Sequence, residues 1–257
     1  MGRSANIPID HGDTIPMVRL EGVVKEFLLR HTRSIKEYVV WWLTGRKGDL
    51  GESFKALDQV TYTINKGESV ALLGFNGSGK STSLKLVSGV MLPDKGQVKV
   101  RGRIAGLIEV GAGMHPDLTG RENVYLNGAI LGMSEEEIDR KFDSIVEFSG
   151  IEKFIDTEVK FYSSGMYMRL AFSIAVHSEP DVFLVDEILA VGDEPFQRKC
   201  IDKLQQLRSS GQTLMVVSHD LEMIKRICER GIVLDHGVQR FDGPIEEAVD
   251  FLRSLEG

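Results

Sequence analysis

Gly74-Phe75-Asn76-Gly77-Ser78-Gly79-Lys80-Ser81 fits the spacing GxxxxGK[ST], a phosphate-binding loop. Glycines at such positions let successive backbone amides converge on phosphate oxygens, with a helix N-terminus behind them. Gly74, Asn76, Gly77, Ser78 and Gly79 would form the cradle, and Lys80 would bring a point charge to the β- and γ-phosphates. Ser81 offers a hydroxyl to Mg2+, and Thr82 follows it in the first helical turn. A second metal ligand is expected at the end of a neighbouring strand. Val182-Phe183-Leu184-Val185-Asp186-Glu187 supplies an apolar run ending in two carboxylates. Asp186 would reach the metal through water, and Glu187 would polarise the attacking water as general base. His219 follows the apolar run Leu214 to Ser218, at the strand end expected to face the phosphates. There it would hydrogen-bond the γ-phosphate and hold the water in line. The chemistry these residues suit is hydrolysis of ATP with Mg2+.

Positioning such groups takes a sheet whose strands end together. Short strands are expected at Val18–Val24, Gln59–Ile64, Ser69–Leu73, Gln97–Val100, Val182–Asp186, Thr213–Ser218 and Gly231–Leu234. Helices are expected at Ser81–Ser88, Gly165–Ser178, Pro195–Ser209, Leu221–Glu229 and Pro244–Leu255. This alternation predicts an α/β fold with a parallel, helix-covered sheet. Thr119 to Glu122 and Ser134 to Glu137 both have capping-box spacing, so residues from about Leu118 to Ile155 read as a helical insert.

Composition sets the frame. The chain has 257 residues, 42% of them apolar, enough for one domain with a real core. A net charge of −7 argues against a nucleic-acid binder. No apolar stretch is long enough to span a bilayer, and the polar start lacks a secretory h-region, so a soluble, cytosolic chain is expected. Cys200 and Cys228 have no CxxC spacing and no nearby histidine pair, and read as free thiols.

These motifs alone permit a kinase, a GTPase or a motor. Tyr162-Ser163-Ser164-Gly165-Met166, with Arg169 after it, narrows the choice, because it resembles the ABC signature LSGGQ in a degenerate form. Ser163 and Gly165 keep the small residues, whereas Tyr162, Ser164 and Met166 depart. Leu189-Ala190-Val191-Gly192-Asp193 resembles the D-loop of the same family, and the likeness runs from about Met17 to Leu252. It implies a P-loop NTPase of ABC type: a mixed sheet core, an antiparallel β subdomain, and a helical subdomain at about 118–178. The whole of 1–257 would be a single nucleotide-binding domain. It also implies a homodimer in which Ser163, Ser164 and Gly165 of one copy close on the γ-phosphate held by the other copy's P-loop, with Asp193 crossing the interface.

The segments Leu107 to Pro116, Leu118 to Val124 and Leu126 to Gly128 resemble the ATPase subunits of bacterial polysaccharide exporters, which move O-antigen, teichoic acid, capsule or galactan. That resemblance implies a lipid-linked polysaccharide as cargo, a separate membrane permease as partner, and a peripheral place on the cytoplasmic membrane face. Glu109 stands where most ABC proteins carry a glutamine that senses metal and water. Between Phe27 and Phe54 lies an insertion. Ser34 to Glu37 is another capping box, and Ile35, Tyr38, Val39, Trp42 and Leu43 share one helical face at about 34–44. The face suits core packing or contact with the permease or lipid interface. Phe27, by its place after the first strand, is expected to stack on adenine, with Phe54 as rival. The chain ends at Gly257 without a carbohydrate-binding domain, so export without cap recognition by this subunit is expected. A chromosome-organising ATPase would need long heptads, but only about 80 residues separate Lys80 from Ser163. A translation-associated ABC protein would carry two ATPase domains. A nutrient importer's ATPase is the nearest alternative.

Overall fold

A computed structural model describes residues 14–29, 52–106, 113–186 and 193–255. Its centre is β3 (Ser69–Leu73), β6 (Val182–Val185) and β7 (Thr213–Val216), each buried throughout. Short apolar runs of this kind suit strands covered on both faces. They belong to a six-stranded sheet ordered β5-β6-β7-β3-β8-β9, with β5 at Ile104–Gly106, β8 at Arg230–Asp235 and β9 at Val238–Pro244. All neighbours pair in parallel except β8 and β9.

The period-two alternation divides the core. Val70, Leu72, Val182, Leu184, Met215 and Val217 pack on one side with the second, antiparallel sheet. That sheet is ordered β2-β1-β4, from β1 (Pro16–Leu29), β2 (Glu52–Asn65) and β4 (Lys95–Val100). Helix α1 (Lys80–Val87) contributes Leu84, Leu86 and Val87 to the same cluster. Ala71, Leu73, Phe183, Val185, Leu214 and Val216 face the other way. They meet α5 (Glu194–Ser209), α6 (Leu221–Ile227) and α7 (Ile245–Ser254).

A third cluster belongs to the helices α2 (Gly120–Ile130), α3 (Glu135–Ser149) and α4 (Ser164–His177). Two of the three expected capping boxes are formed, by Thr119 with Glu122 and by Ser134 with Glu137, and the third, Ser34 to Glu37, lies outside the described residues. Gly150, at φ 67, stops α3, and the chain continues through two short 3₁₀ turns rather than as helix to Ile155. Helix α4 joins two cores. Leu170, Ala171 and Ile174 pack with the helical cluster, while Phe172, Ala175 and Val176 pack under the six-stranded sheet.

Several boundaries differ from the sequence reading. β1 and β2 run well beyond Val24 and Gln59, because they pair with each other to the Leu29–Glu52 rung. α6 stops at Ile227, since Cys228 turns extended and Glu229 donates to the Ser69 carbonyl to feed β8. The expected helix at about 34–44 lies outside the described residues. No helix among the described residues is long and apolar enough to cross a membrane.

Candidate nucleotide site

The loop after β3 is held by backbone crowding. A Cβ on Gly74 would overlap the Leu234 carbonyl oxygen and come within 2.5 Å of Ser78 Oγ. Gly79 caps α1 at φ 106, and a Cβ there would meet the Ala56 carbonyl at 2.5 Å and Leu57 Cδ2 at 2.6 Å. Gly77, at φ 78, instead has open space above it. The outer glycines thus permit close packing, and the inner one leaves the concave side clear. Lys80 is only 6% exposed, and its ammonium donates to the carbonyls of Gly74 at 2.8 Å and Phe75 at 3.0 Å. That curls a buried cation over the loop. Asn76 and Ser81 are exposed, Thr82 is half-buried, and Ser78 is buried with its hydroxyl unpartnered.

Gly237 contributes a support that sequence reasoning missed. In the β8–β9 turn, at φ 77, its N–H donates to the Ser78 carbonyl at 3.1 Å, and its own carbonyl accepts from Asp58 N–H at 2.8 Å. The glycine of Asp235-His236-Gly237 was the available signal, a turn residue at a left-handed position.

Asp186 follows β6 directly and is half-buried, after the strand next to β7 and two positions from β3. Ser81 and Asp186 offer a hydroxyl and a carboxylate, hard oxygen donors of the type Mg2+ takes while keeping water and phosphate oxygens as its other ligands, so this donor set fits the ion. His219 lies beyond β7 and lines a cavity of about 260 Å3 with Gly74, Phe75, Asn76 and Ser218. The structure therefore brings His219 to the phosphate loop. Glu187 and Glu109 lie outside the described residues.

Phe27 and Phe54, read from sequence as rivals, are directly opposite each other in the β1–β2 register. They are 37% and 45% exposed, and cross-strand partners share a face. The Lys25 ammonium lies 5.8 Å from the Phe27 ring centre and pairs with Asp94, which also accepts from Glu26 N–H at 2.7 Å. These bonds hold the Asp94 carboxyl below the usual carboxylate range, the Glu26 amide acting most strongly and then Lys25.

The signature segment forms a different surface. Ser163 is the N-cap of α4, its hydroxyl accepting from Met166 N–H at 3.2 Å, and a hydroxyl N-cap is what this helix start favours. Ser164 is exposed, and a Cβ on Gly165 would touch nothing closer than Ser163 Oγ at 3.9 Å. These residues line a cavity of about 740 Å3 with Met166, Arg169 and Asp193. Asp193 precedes α5 and bonds the Arg169 guanidinium rather than capping its own helix. That bond holds the Asp193 carboxyl below its ordinary value. The cavity at His219 and the cavity at Ser163 have no lining residue in common.

A P-loop that follows a central strand of a parallel sheet, a helical arm whose last helix starts on a Ser-Ser-Gly tip, and an antiparallel sheet beside the loop define an ABC-type ATPase cassette. The ABC transporter family model matches residues 57–190, and the chain belongs to that family. It is similar to the O-antigen export system ATP-binding protein RfbB of Klebsiella pneumoniae, with 40% identity over 240 residues, 93% of this chain and 98% of that one. It also resembles the teichoic acids export ATP-binding protein TagH of Listeria monocytogenes, with 40% identity over 230 residues, 90% of this chain and 68% of that one. Among solved structures it resembles the dimeric post-hydrolysis state of the ATP-binding cassette MJ0796 bound to ADP and Pi. The TM-score is 0.70 at 25% identity, covering 89% of this chain and 99% of that one.

Proposed function

We propose that this chain is the ATP-hydrolysing subunit of an exporter that carries a lipid-linked polysaccharide across the cytoplasmic membrane through a separate permease. Two copies face each other, and each ATP lies between one copy's Gly74–Thr82 loop and the other copy's Ser163–Gly165 tip. The observation that carries this reading is the separation of two incomplete half-sites in one chain. A loop that grips phosphate and an exposed helix start that suits an anion occupy different cavities, so a second copy supplies what the first lacks. The dimeric solved relative and the names of the curated relatives support it.

In this reading Lys80 and the loop amides hold the β- and γ-phosphates. Glu187 takes the proton of the attacking water, and His219 fixes the γ-phosphate from beyond β7. Ser81 and Asp186 would hold Mg2+, which would supply positive charge to offset that of the phosphates. Phe27, with Phe54 beside it, forms the surface for adenine, and Asp193 crosses to the partner copy. Residues of about 118–178 act as the arm that moves the Ser163–Gly165 tip. Glu109 joins Glu187 and His219 in the catalytic set, while the run at 110–113 beside it and the segment at about 34–44 would meet the permease at the cytoplasmic face of the membrane. Loss of the γ-phosphate bridge after hydrolysis loosens the pair, and the permease uses that motion.

The test uses Glu187→Gln, which is expected to keep ATP while turnover falls by about a hundredfold or more. With MgATP and the co-expressed permease it should sediment as a closed dimer holding two nucleotides. Unpaired subunits, each holding its own ATP under those conditions, would remove the shared-site reading. For cargo, cells lacking their own O-antigen export ATPase should regain surface polymer when given this chain and its permease, but not with Lys80→Ala.

A further inference from the structure

Arg103 lies just before β5, outside every motif of the nucleotide chemistry, yet it meets more of the molecule than its position suggests. Its backbone is tied to the start of β6. Arg103 N–H donates to the Asp181 carboxylate at 2.7 Å, and its carbonyl accepts from Asp181 and Val182 N–H groups at 2.8 and 3.1 Å. Its guanidinium points the other way, into the seam between sheet and helices. Nη1 donates to the Gly132 carbonyl at 2.7 Å, and Nη2 donates to the carbonyls of Ser178 at 2.7 Å and Glu179 at 3.1 Å. Gly132 closes the α2–α3 connection, and Ser178 and Glu179 follow the C-terminus of α4.

Two features show that the chain is bent to make these bonds. Glu179 has a φ of 46, a left-handed conformation that costs a side-chain-bearing residue energy, and its carbonyl is one of those gripped. Gly132 has a φ of 83, and a Cβ there would lie 2.8 Å from Arg103 Cδ, so the arginine stem passes over a position that only glycine leaves open. Lys141 reinforces the same corner from α3, donating to the His177 carbonyl at 3.0 Å and pairing with Glu179 at 3.0 Å.

We propose that Arg103 is a positioning residue that sets the signature helix relative to the sheet, by clamping the far end of α4 to the far end of β6. β6 leads to Asp186 and α4 begins at Ser163, so the clamp fixes both elements at the ends opposite their chemistry. A planar fork donating to three carbonyls defines an angle as well as a distance, which a point charge does not. Because α4 packs on two cores at once, a change of angle at Ser178 is carried to the exposed Ser163–Gly165 tip. The proposal rests on the reading that this tip meets the partner's ATP.

The test compares Arg103→Lys and Arg103→Met, each in the full-length Glu187→Gln protein. Binding of a fluorescent ATP analogue to the separate subunit reports the phosphate loop, and sedimentation with MgATP and the co-expressed permease reports closure of the pair. Either variant that folds should keep analogue affinity within about twofold. Its ATP-driven dimerisation should weaken by about tenfold for Met and less for Lys, as expected when a trans contact is misplaced. A folded variant that dimerises as tightly as its parent overturns the proposal. So does a loss of analogue affinity in step with dimerisation, which marks general destabilisation. If the Glu187→Gln parent with Arg103 intact fails to dimerise, the shared-site reading has failed instead.

Discussion

The phosphate loop and the signature tip both offer helix-start amides to an anion, yet they are built in opposite ways. Around the loop, glycines are pressed against backbone on two sides, Lys80 is buried, and Gly237 props the Ser78 carbonyl from behind. Around the tip, Ser163 and Ser164 are exposed and Gly165 faces almost empty space. The loop is closely packed within one chain, whereas the tip is an exposed helix start with two serine hydroxyls, one of them already taken as the cap. On the proposed shared-site reading, the difference teaches that binding energy is held on one side and that the other is left weak, so that closure would depend on the nucleotide.

Substitution of glycine separates the two regions most sharply. Gly74→Ala drives a methyl group into the Leu234 carbonyl at a φ of 147, and should cost about 3 kcal/mol or more in stability, read by chemical denaturation. An alanine there that unfolds at the parent's midpoint would show that the loop is looser than its packing implies. Lys80→Ala removes the buried charge without backbone strain. It should keep the fold and reduce ATP turnover by about a hundredfold or more, measured by phosphate release. Gly165→Ala is the contrasting case. It fills open space and replaces a poor helix former, so stability should rise by up to about 1 kcal/mol. The same methyl group occupies the approach to the partner's phosphate, so dimer closure with MgATP should weaken by about tenfold. Unchanged closure in the face of raised stability would remove Gly165 from the shared site.

What the sequence made legible follows the same division. Spacing identified the glycine loop, the strand leading to Asp186 and the capping boxes at Thr119 and Ser134, because each is a local device whose residues are close in the chain. Ser163 was legible as the residue opening a helix for the same reason. β9 was not, since Val238–Pro244 is a half-exposed edge strand without an apolar run, and the three residues of β5 are too few to carry a period. The pairing of Phe27 with Phe54 turned an apparent choice into a cross-strand neighbourhood, across an insertion that gives no sign of it. Arg103 was invisible for a different reason. The carbonyls it clamps have no residue type to recognise and lie 29 and 75 positions away, and its guanidinium pairs at 3.6 Å with Glu137, a residue whose own capping box already accounted for it.

The smallest effect tests whether the helical arm depends on local caps or on its packing. Thr119 and Glu122 hold each other's backbone, with Thr119 N–H donating to the carboxylate at 2.8 Å and Glu122 N–H donating to the Thr119 hydroxyl at 3.2 Å. The Thr119 amide, then its hydroxyl, keeps the Glu122 carboxyl below its ordinary value. Glu137 is lowered the same way, chiefly by the Ser134 amide. A carboxyl depressed in the folded state contributes stability above its unfolded pKa and loses it as pH falls through the folded value. Thr119→Ala should therefore cost about 1 kcal/mol near neutral pH, measured by urea unfolding. Alanine keeps the backbone amide that lowers Glu122 most, so only the part of the penalty owed to the hydroxyl–carboxylate bond at 2.8 Å should fade, and only as pH falls through the lowered Glu122 value. A penalty that stays constant through that value would mean that the hydroxyl caps the helix without help from the Glu122 charge. Only a Thr119→Ala penalty near zero at every pH would mean that the arm rests on the buried cluster of Val124, Ile138, Ile145 and Leu170 rather than on its ends.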